Sequence, residues 1–310
     1  MSLKPNADKA KSPKGATSSG PVSLPSERKG SWVKVKGGPV VAVVDMGTNS
    51  FHMIVCQASP EKDHFEVLAK VKEAVPFFRR SLSAHYIDEQ ALRSALRILR
   101  DMLKNAREHG ASYTMAVATS AVRESKNGEE CLRRIRAELK MDARMISGKE
   151  EARLIYLGFL FFLTQFMPHM KGRFCIVDIG GGSTELIVGD EKRIYFAESY
   201  KLGAARLTQR FFKKGEVTPQ TVQDLHNEVR GVLRPAASGI SVAGGFDTLV
   251  GTSGTIQALA KLDRVSSGNP HAELAGWTIP LVRLEKLVDY IKSFALKGEK
   301  PKGVSADRNE

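Results

Sequence analysis

Apolar and polar positions alternate around two glycine turns. Residues 174–177 are uniformly apolar (Phe-Cys-Ile-Val); Asp178 and three glycines at 180–182 follow, and apolar residues resume at Leu186-Ile-Val188. An apolar run, a glycine turn and a second apolar run predict a β-hairpin. The pattern occurs once before, where Val40 to Val44 leads into Asp45-Met-Gly-Thr-Asn-Ser-Phe-His-Met-Ile-Val55. Set without a gap against Asp178-Ile-Gly-Gly-Gly-Ser-Thr-Glu-Leu-Ile-Val188, this segment shares Asp, Gly, Ser, Ile and Val in five columns. Two copies most of a domain apart predict two similar halves with a cleft between them.

The remaining periodicity fills in each half. Strands are predicted over 40–44, 51–57, 65–71 and 113–118, with a short one near 144–146. An amphipathic helix over 87–109 carries Leu92, Ala95, Leu96, Leu99, Met102, Leu103 and Ala106 on one face, with Asp88 to cap it and Gly110 to end it. A second helix is predicted over about 128–139. Ser147, with Glu150 three residues on, forms a capping-box pattern at the start of a helix leading to the second half. Beyond the second hairpin come a strand at 193–198, helices at 204–212 and from Pro219 to about Leu233, a strand at 248–251, a helix to Leu262 and a last helix over 283–296. The order is that of an α/β chain with two ribonuclease-H-like domains, as in the actin, sugar-kinase and chaperone-ATPase superfamily. The expected limits are a basic tail at 1–38, a first domain at 39–165 and a second at 166–310.

Composition narrows the class. The chain has 310 residues, 42% of them hydrophobic, enough for two globular cores. The apolar segment Leu154 to Phe166 is interrupted by Tyr156, Gly158, Thr164 and Gln165, so it reads as a buried helix and no membrane span is expected. The first forty residues have no apolar core of a secretory signal, which makes the cytoplasm the expected location. Cys56, Cys131 and Cys175 are too widely spaced for a metal site or a disulfide framework. The net charge is +13; the tail has eight Lys or Arg and two acids, which leaves +7 for the folded part. Such a surface favours polyanions, with no motif specific for nucleic acid.

The turns carry candidate chemistry. Glycines let an anion approach backbone amides closely, Ser183 and Thr184 add hydroxyl donors, and Asp178 and Glu185 are hard oxygen ligands that suit Mg²⁺. Gly251-Thr-Ser-Gly-Thr255 is a further glycine turn feeding a helix N-terminus.

Six segments together resemble the exopolyphosphatase and guanosine pentaphosphate phosphohydrolase family. They are the hairpin at Asp45, Ala118-Thr-Ser-Ala-Val-Arg123, Ile146-Ser-Gly-Lys-Glu-Glu-Ala-Arg-Leu-Ile-Tyr156, Val177-Asp-Ile-Gly-Gly-Gly-Ser-Thr-Glu185, Lys201-Leu-Gly-Ala-Ala-Arg206 and Gly251-Thr-Ser-Gly-Thr255. The resemblance implies hydrolysis of a terminal phosphoryl group from polyphosphate or guanosine pentaphosphate. It makes Glu151 the base that deprotonates water, and Arg123 the arginine that meets the transition-state charge. It implies Mg²⁺ on Asp178 and Glu185 with help from Asp45, and substrate phosphates at Asn49, Ser50, Gly181, Gly182, Ser183, Thr184, Gly254 and Thr255. Lys201 and Arg206 are weaker phosphate candidates, and His52 is assigned a structural role. A homodimer is implied as well.

The chain departs from the family pattern in two places. Val75-Pro-Phe-Phe-Arg79 stands where many members have Val-Arg-Leu-Gly, leaving Arg79 or Arg80 to substitute. The sequence given also ends at Ser305-Ala-Asp-Arg-Asn-Glu310, where members continue into a closing helix; exposed apolar core on the second domain is therefore expected. Two other readings remain open: a non-catalytic sensor of polyphosphate or alarmone nucleotides, and an actin-like ATPase or kinase.

Overall fold

A computed structural model describes residues 37–59, 64–75, 81–212 and 215–299. The basic tail up to residue 36, Arg79, Arg80 and the segment 305–310 lie outside the described residues.

The first half opens with β1 (Val40–Met46), β2 (Ser50–Ser59) and β3 (His64–Ala74), a meander in which Asp45 pairs with His52 and Val44 with Met53. Helix α1 (Glu89–Glu108) follows. Asp88 caps it by accepting from the Ala91 amide at 2.7 Å, and Gly110 (φ +80°) turns the chain out of it. The chain then passes through β4 (Tyr113–Ala118), the single turn α2 (Ser120–Arg123), α3 (Gly128–Leu139) and β5 (Asp142–Met145). The sheet order is β3-β2-β1-β4-β5, with β1, β4 and β5 parallel. Alternate β1 residues Val40, Ala42, Val44 and Met46 join the apolar face of α1 in one core. A parallel crossover needs a covering helix, and α1 supplies it.

Helix α4 (Gly148–Phe166) carries the chain across. Its buried Ala152, Tyr156, Phe159 and Leu163 pack with Phe174, Ile176 and Ile187 of the second sheet. Ser147 caps the helix from its hydroxyl, accepting from the Glu150 amide at 3.1 Å. The other arm of the expected capping box is absent: the Glu150 carboxylate takes two bonds from Arg153, each 2.8 Å, since a charge-assisted fork outcompetes a return bond to one amide.

The second half repeats the plan with β6 (Phe174–Ile179), β7 (Thr184–Gly189), β8 (Ile194–Tyr200), α5 (Ala204–Phe211), α6 (Pro219–Val242), β9 (Thr248–Thr252), α7 (Ser253–Ser266) and α8 (Leu281–Ala295). Its sheet order is β8-β7-β6-β9, and β9 runs parallel to β6. Asp178 pairs with Glu185 and Val177 with Leu186, so both hairpins keep the same register. Two sheets of this topology bear out the expected α/β fold. Helix α6 runs to Val242 rather than stopping near Leu233: Pro235 removes one ladder bond, and the turns on either side carry the helix through.

Apolar side chains do lie open in the second half: Leu249 on β9 is 59% exposed, Leu281 69% and Val242 90%. The three cysteines are buried and unpaired. Among the described residues no helix is long and apolar enough to cross a membrane.

Candidate active site

The two glycine turns meet directly. A Cβ on Gly181 would fall 3.0 Å from Asn49 Nδ2 and 3.1 Å from Thr48 Cβ, and one on Gly182 would collide with Ser120 Oγ and lie 2.9 Å from Thr48 Oγ1. Thr48 and Ser120 are buried and hydrogen-bonded to each other at 3.0 Å, which ties the first turn to the start of α2. Only glycine lets the second turn come this close.

Four carboxylates gather around the turns. Asp45 ends β1, and Asp178 stands at the same place on β6. Glu185 is buried opposite Asp178, and Glu151 projects from the first turn of α4. Asp45 is reached by solvent yet ringed by protein. That surrounding, with the charges of Glu151 and Asp178, pushes its pKa up to about 7. Burial likewise raises Glu185 to about 7, with Glu151 adding to the effect and bonds from Ser199 (2.7 Å) and Ser183 opposing it. Asp178 is raised by burial and steadied by Thr252, whose Oγ1 donates at 2.7 Å, and by Ser253. Glu151 is raised by burial too, against the pull of Arg123. Crowded carboxylates that repel one another leave a site short of positive charge.

Arg123 is the one cation bonded to this group among the described residues. Its Nη1 donates to Glu151 Oε2 at 2.8 Å and to the Ile146 carbonyl at 3.1 Å. It does not pair with Glu124, which turns instead to Arg206 and Lys201.

The expected phosphate ligands divide. Gly181, Gly182 and Asn49 lie at the junction of the turns. Gly254 and Thr255 occupy the first turn of α7, after Ser253, which holds a left-handed φ of +70° beside Asp178; amides there have no partner within the helix. Thr184 is corrected: its buried hydroxyl donates to the Leu202 carbonyl at 2.9 Å, which secures β7 rather than serving the cleft. The Ser183 hydroxyl lies beside Glu185, where it counters the rise in that acid's pKa. Ser50 bonds His52 Nε2 at 2.7 Å, a local link that agrees with a structural His52. Arg206 is likewise no free phosphate ligand, because its guanidinium is bonded to Gly182 O and Glu124.

Ser120, Ser199 and Thr252 were not singled out from the sequence. Ser120 lies inside a motif that was read, but Ser199 sits in an ordinary strand with nothing local to mark it.

Among the described residues no three side chains converge into a protein-only metal cage. Asp45 and Asp178 nonetheless offer hard oxygens with uncompensated charge, which fits a cation held by one or two carboxylates, water and phosphate oxygens.

An exopolyphosphatase from Cytophaga hutchinsonii superposes with a TM-score of 0.73 at 27% identity, over 87% of this chain and 83% of that one. The Ppx/GppA family member of Aquifex aeolicus gives 0.65 at 25% identity, over 82% and 79%. The sequence pattern of the Ppx/GppA phosphatase family matches residues 54–310, and on this basis the chain belongs to the Ppx/GppA phosphatase family.

Proposed function

We propose that the chain hydrolyses the terminal phosphoryl group of a linear phosphoanhydride, inorganic polyphosphate or guanosine pentaphosphate, by attack of water. The observation that carries this reading is the Arg123–Glu151 pair standing beside the junction of two glycine turns. Arg123 fixes one oxygen of Glu151. The other oxygen accepts a proton from water as the water oxygen bonds to the terminal phosphorus. The bridging P–O bond then breaks, and its electron pair leaves with the shortened chain. Donors at the turns receive the non-bridging oxygens. Mg²⁺ held by Asp178 and Glu185, with help from Asp45, would neutralise phosphate charge. The excess of lysine and arginine favours the longer polyanion, polyphosphate, as substrate.

The test is phosphate release from long-chain polyphosphate and from guanosine pentaphosphate, offered separately with Mg²⁺ and with a chelator. Mg²⁺-dependent release from polyphosphate is the expected result. Release from the pentaphosphate alone moves the activity to alarmone turnover. Binding with no release from either substrate overturns the hydrolase reading in favour of a sensor. ATP hydrolysis without action on polyphosphate would favour an ATPase.

A further inference from the structure

The three consecutive carbonyls of the second glycine turn all have donors on one element. The Ala204 amide donates to Gly180 O at 2.9 Å, the Arg206 amide to Gly181 O at 3.1 Å, and Arg206 Nε to Gly182 O at 2.8 Å. All three donors belong to the first turn of α5. Its cap, Gly203, touches Gly181 and Gly182 so closely that any side chain there would overlap their backbone.

A trans peptide is planar, so the N–H following each carbonyl points the opposite way. Carbonyls of 180, 181 and 182 drawn towards α5 turn the amides of Gly181, Gly182 and Ser183 away from it. Successive amides facing one side form an anion-binding concavity. No protein acceptor is recorded for these amides among the described residues, whereas Gly180 N closes the hairpin on Ser183 O at 3.0 Å.

Arg206 is itself held from the other half of the molecule. Its Nη2 donates to Glu124 Oε1 at 2.6 Å; Glu124 directly follows α2, and the two side chains are only 15% and 10% exposed. Lys201 adds an ion pair at 3.2 Å on the other Glu124 oxygen, without the alignment of a hydrogen bond and from an exposed position. One buried guanidinium therefore joins the turn's last carbonyl to an acid of the first half.

We propose that Arg206 is the positioning residue of this phosphate cradle and Glu124 its anchor, so that the three amides are aimed only while the two halves are held together. The proposal rests on the cleft receiving phosphate groups. Arg206 touches no substrate; it acts through the Gly182 peptide.

The test measures the affinity of inorganic tripolyphosphate by calorimetry, with Glu151→Gln as background to suppress turnover, and steady-state phosphate release with Glu151 intact. Arg206→Ala and Glu124→Ala are expected to weaken tripolyphosphate binding about tenfold or more, the scale of a lost charge-assisted hydrogen bond, and to raise KM in step. Glu124→Gln keeps an oxygen acceptor for Arg206 and is expected to bind within about threefold of the parent. Arg206→Lys cannot span Gly182 and Glu124 together and is expected to behave as the alanine variant does. Arg210→Ala, on the same helix but paired with surface Glu228, serves as the control. Thermal melting identifies any variant that fails to fold; if Arg206→Ala does so, the Glu124→Ala and Glu124→Gln comparison decides. Parental affinity in Arg206→Ala or Glu124→Ala overturns the proposal, and so does equal loss in Glu124→Ala and Glu124→Gln. Binding that depends on Arg206 without phosphate release by the parent removes the hydrolase reading and keeps this one. Release that is indifferent to Arg206 does the reverse.

Discussion

Arg123 Nη1 lies 2.8 Å from Glu151 Oε2, so one oxygen of Glu151 is already paired and the second is left for the water of the proposed reaction. Glu151→Gln is expected to lower kcat by about 10²- to 10⁴-fold, the usual contribution of a positioned base, while tripolyphosphate affinity stays within a few-fold. Because Arg123 draws the Glu151 pKa down, Arg123→Ala should move the acid limb of the kcat profile to higher pH. A pH–rate series on the two variants checks both statements; an unmoved acid limb removes Arg123 from this role.

The raised carboxylates also make stability depend on pH. Buried Glu185 has a folded pKa of about 7, against an ordinary value near 4 in the unfolded chain; Asp45 shifts the same way, but solvent reaches it and screens its share. Between those limits the folded protein holds protons that the unfolded chain has released, so stability falls as pH rises through the window and levels off above it. Glu150, held low by Arg153, titrates below this range. In a chelating buffer the melting temperature should drop by several degrees from pH 5.5 to pH 8, at about 2–4 °C per kcal/mol for a chain of this size. Glu185→Gln should flatten the slope, and Mg²⁺ at pH 8 should recover part of the loss. A melting temperature that climbs across the window contradicts the assignment.

Two glycines should respond in opposite senses to alanine. At Gly182 the new methyl meets the bonded pair Ser120 and Thr48, so the turns must separate; Gly182→Ala should lose activity and melt lower. Gly158, inside α4, has open space around its Cβ position, and Gly158→Ala should stabilise by about 0.5–1 kcal/mol through helix propensity alone. Urea denaturation of the two variants side by side reads both signs.

Away from the cleft, Asp263 is fully buried on α7. It accepts from Trp277 Nε1 at 2.9 Å and forms an ion pair with Arg283 Nε at 2.7 Å, though that N–H is not aligned for a hydrogen bond. It fastens α8 and the preceding loop to α7. Asp263→Ala removes the acceptor of both partners and should cost about 1–3 kcal/mol, since Arg283 is 41% exposed and water can take up its charge, read as a lower urea midpoint with unchanged slope.

The sequence made the architecture legible because both hairpins wrote the same alternation twice, down to the register that sets Asp45 against His52 and Asp178 against Glu185. Asp178 and Glu185 stood out as hard oxygens flanking a glycine turn, whereas Glu151, an ordinary first-turn glutamate by position, was marked only by the resemblance of its motif. Contacts that depend on distant pieces of chain were not legible. Nothing local shows that the Thr184 hydroxyl turns back to Leu202, that Ser199 reaches Glu185, or that Glu124 prefers Arg206 to its neighbour Arg123. The end of α6 was not legible either: the helix passes through Pro235 to Val242, with Ala236 buried just beyond the proline.

The repeated hairpins have one column that matters more than the rest. Two identical turns would carry the same charge at every matching position. His52 and Glu185 occupy the matching positions, one an imidazole bonded to Ser50 and the other a buried acid. Of the six columns in which the copies differ, this one alone sets an acid against an imidazole, so the duplicated turns differ in charge where their strands pair with Asp45 and Asp178.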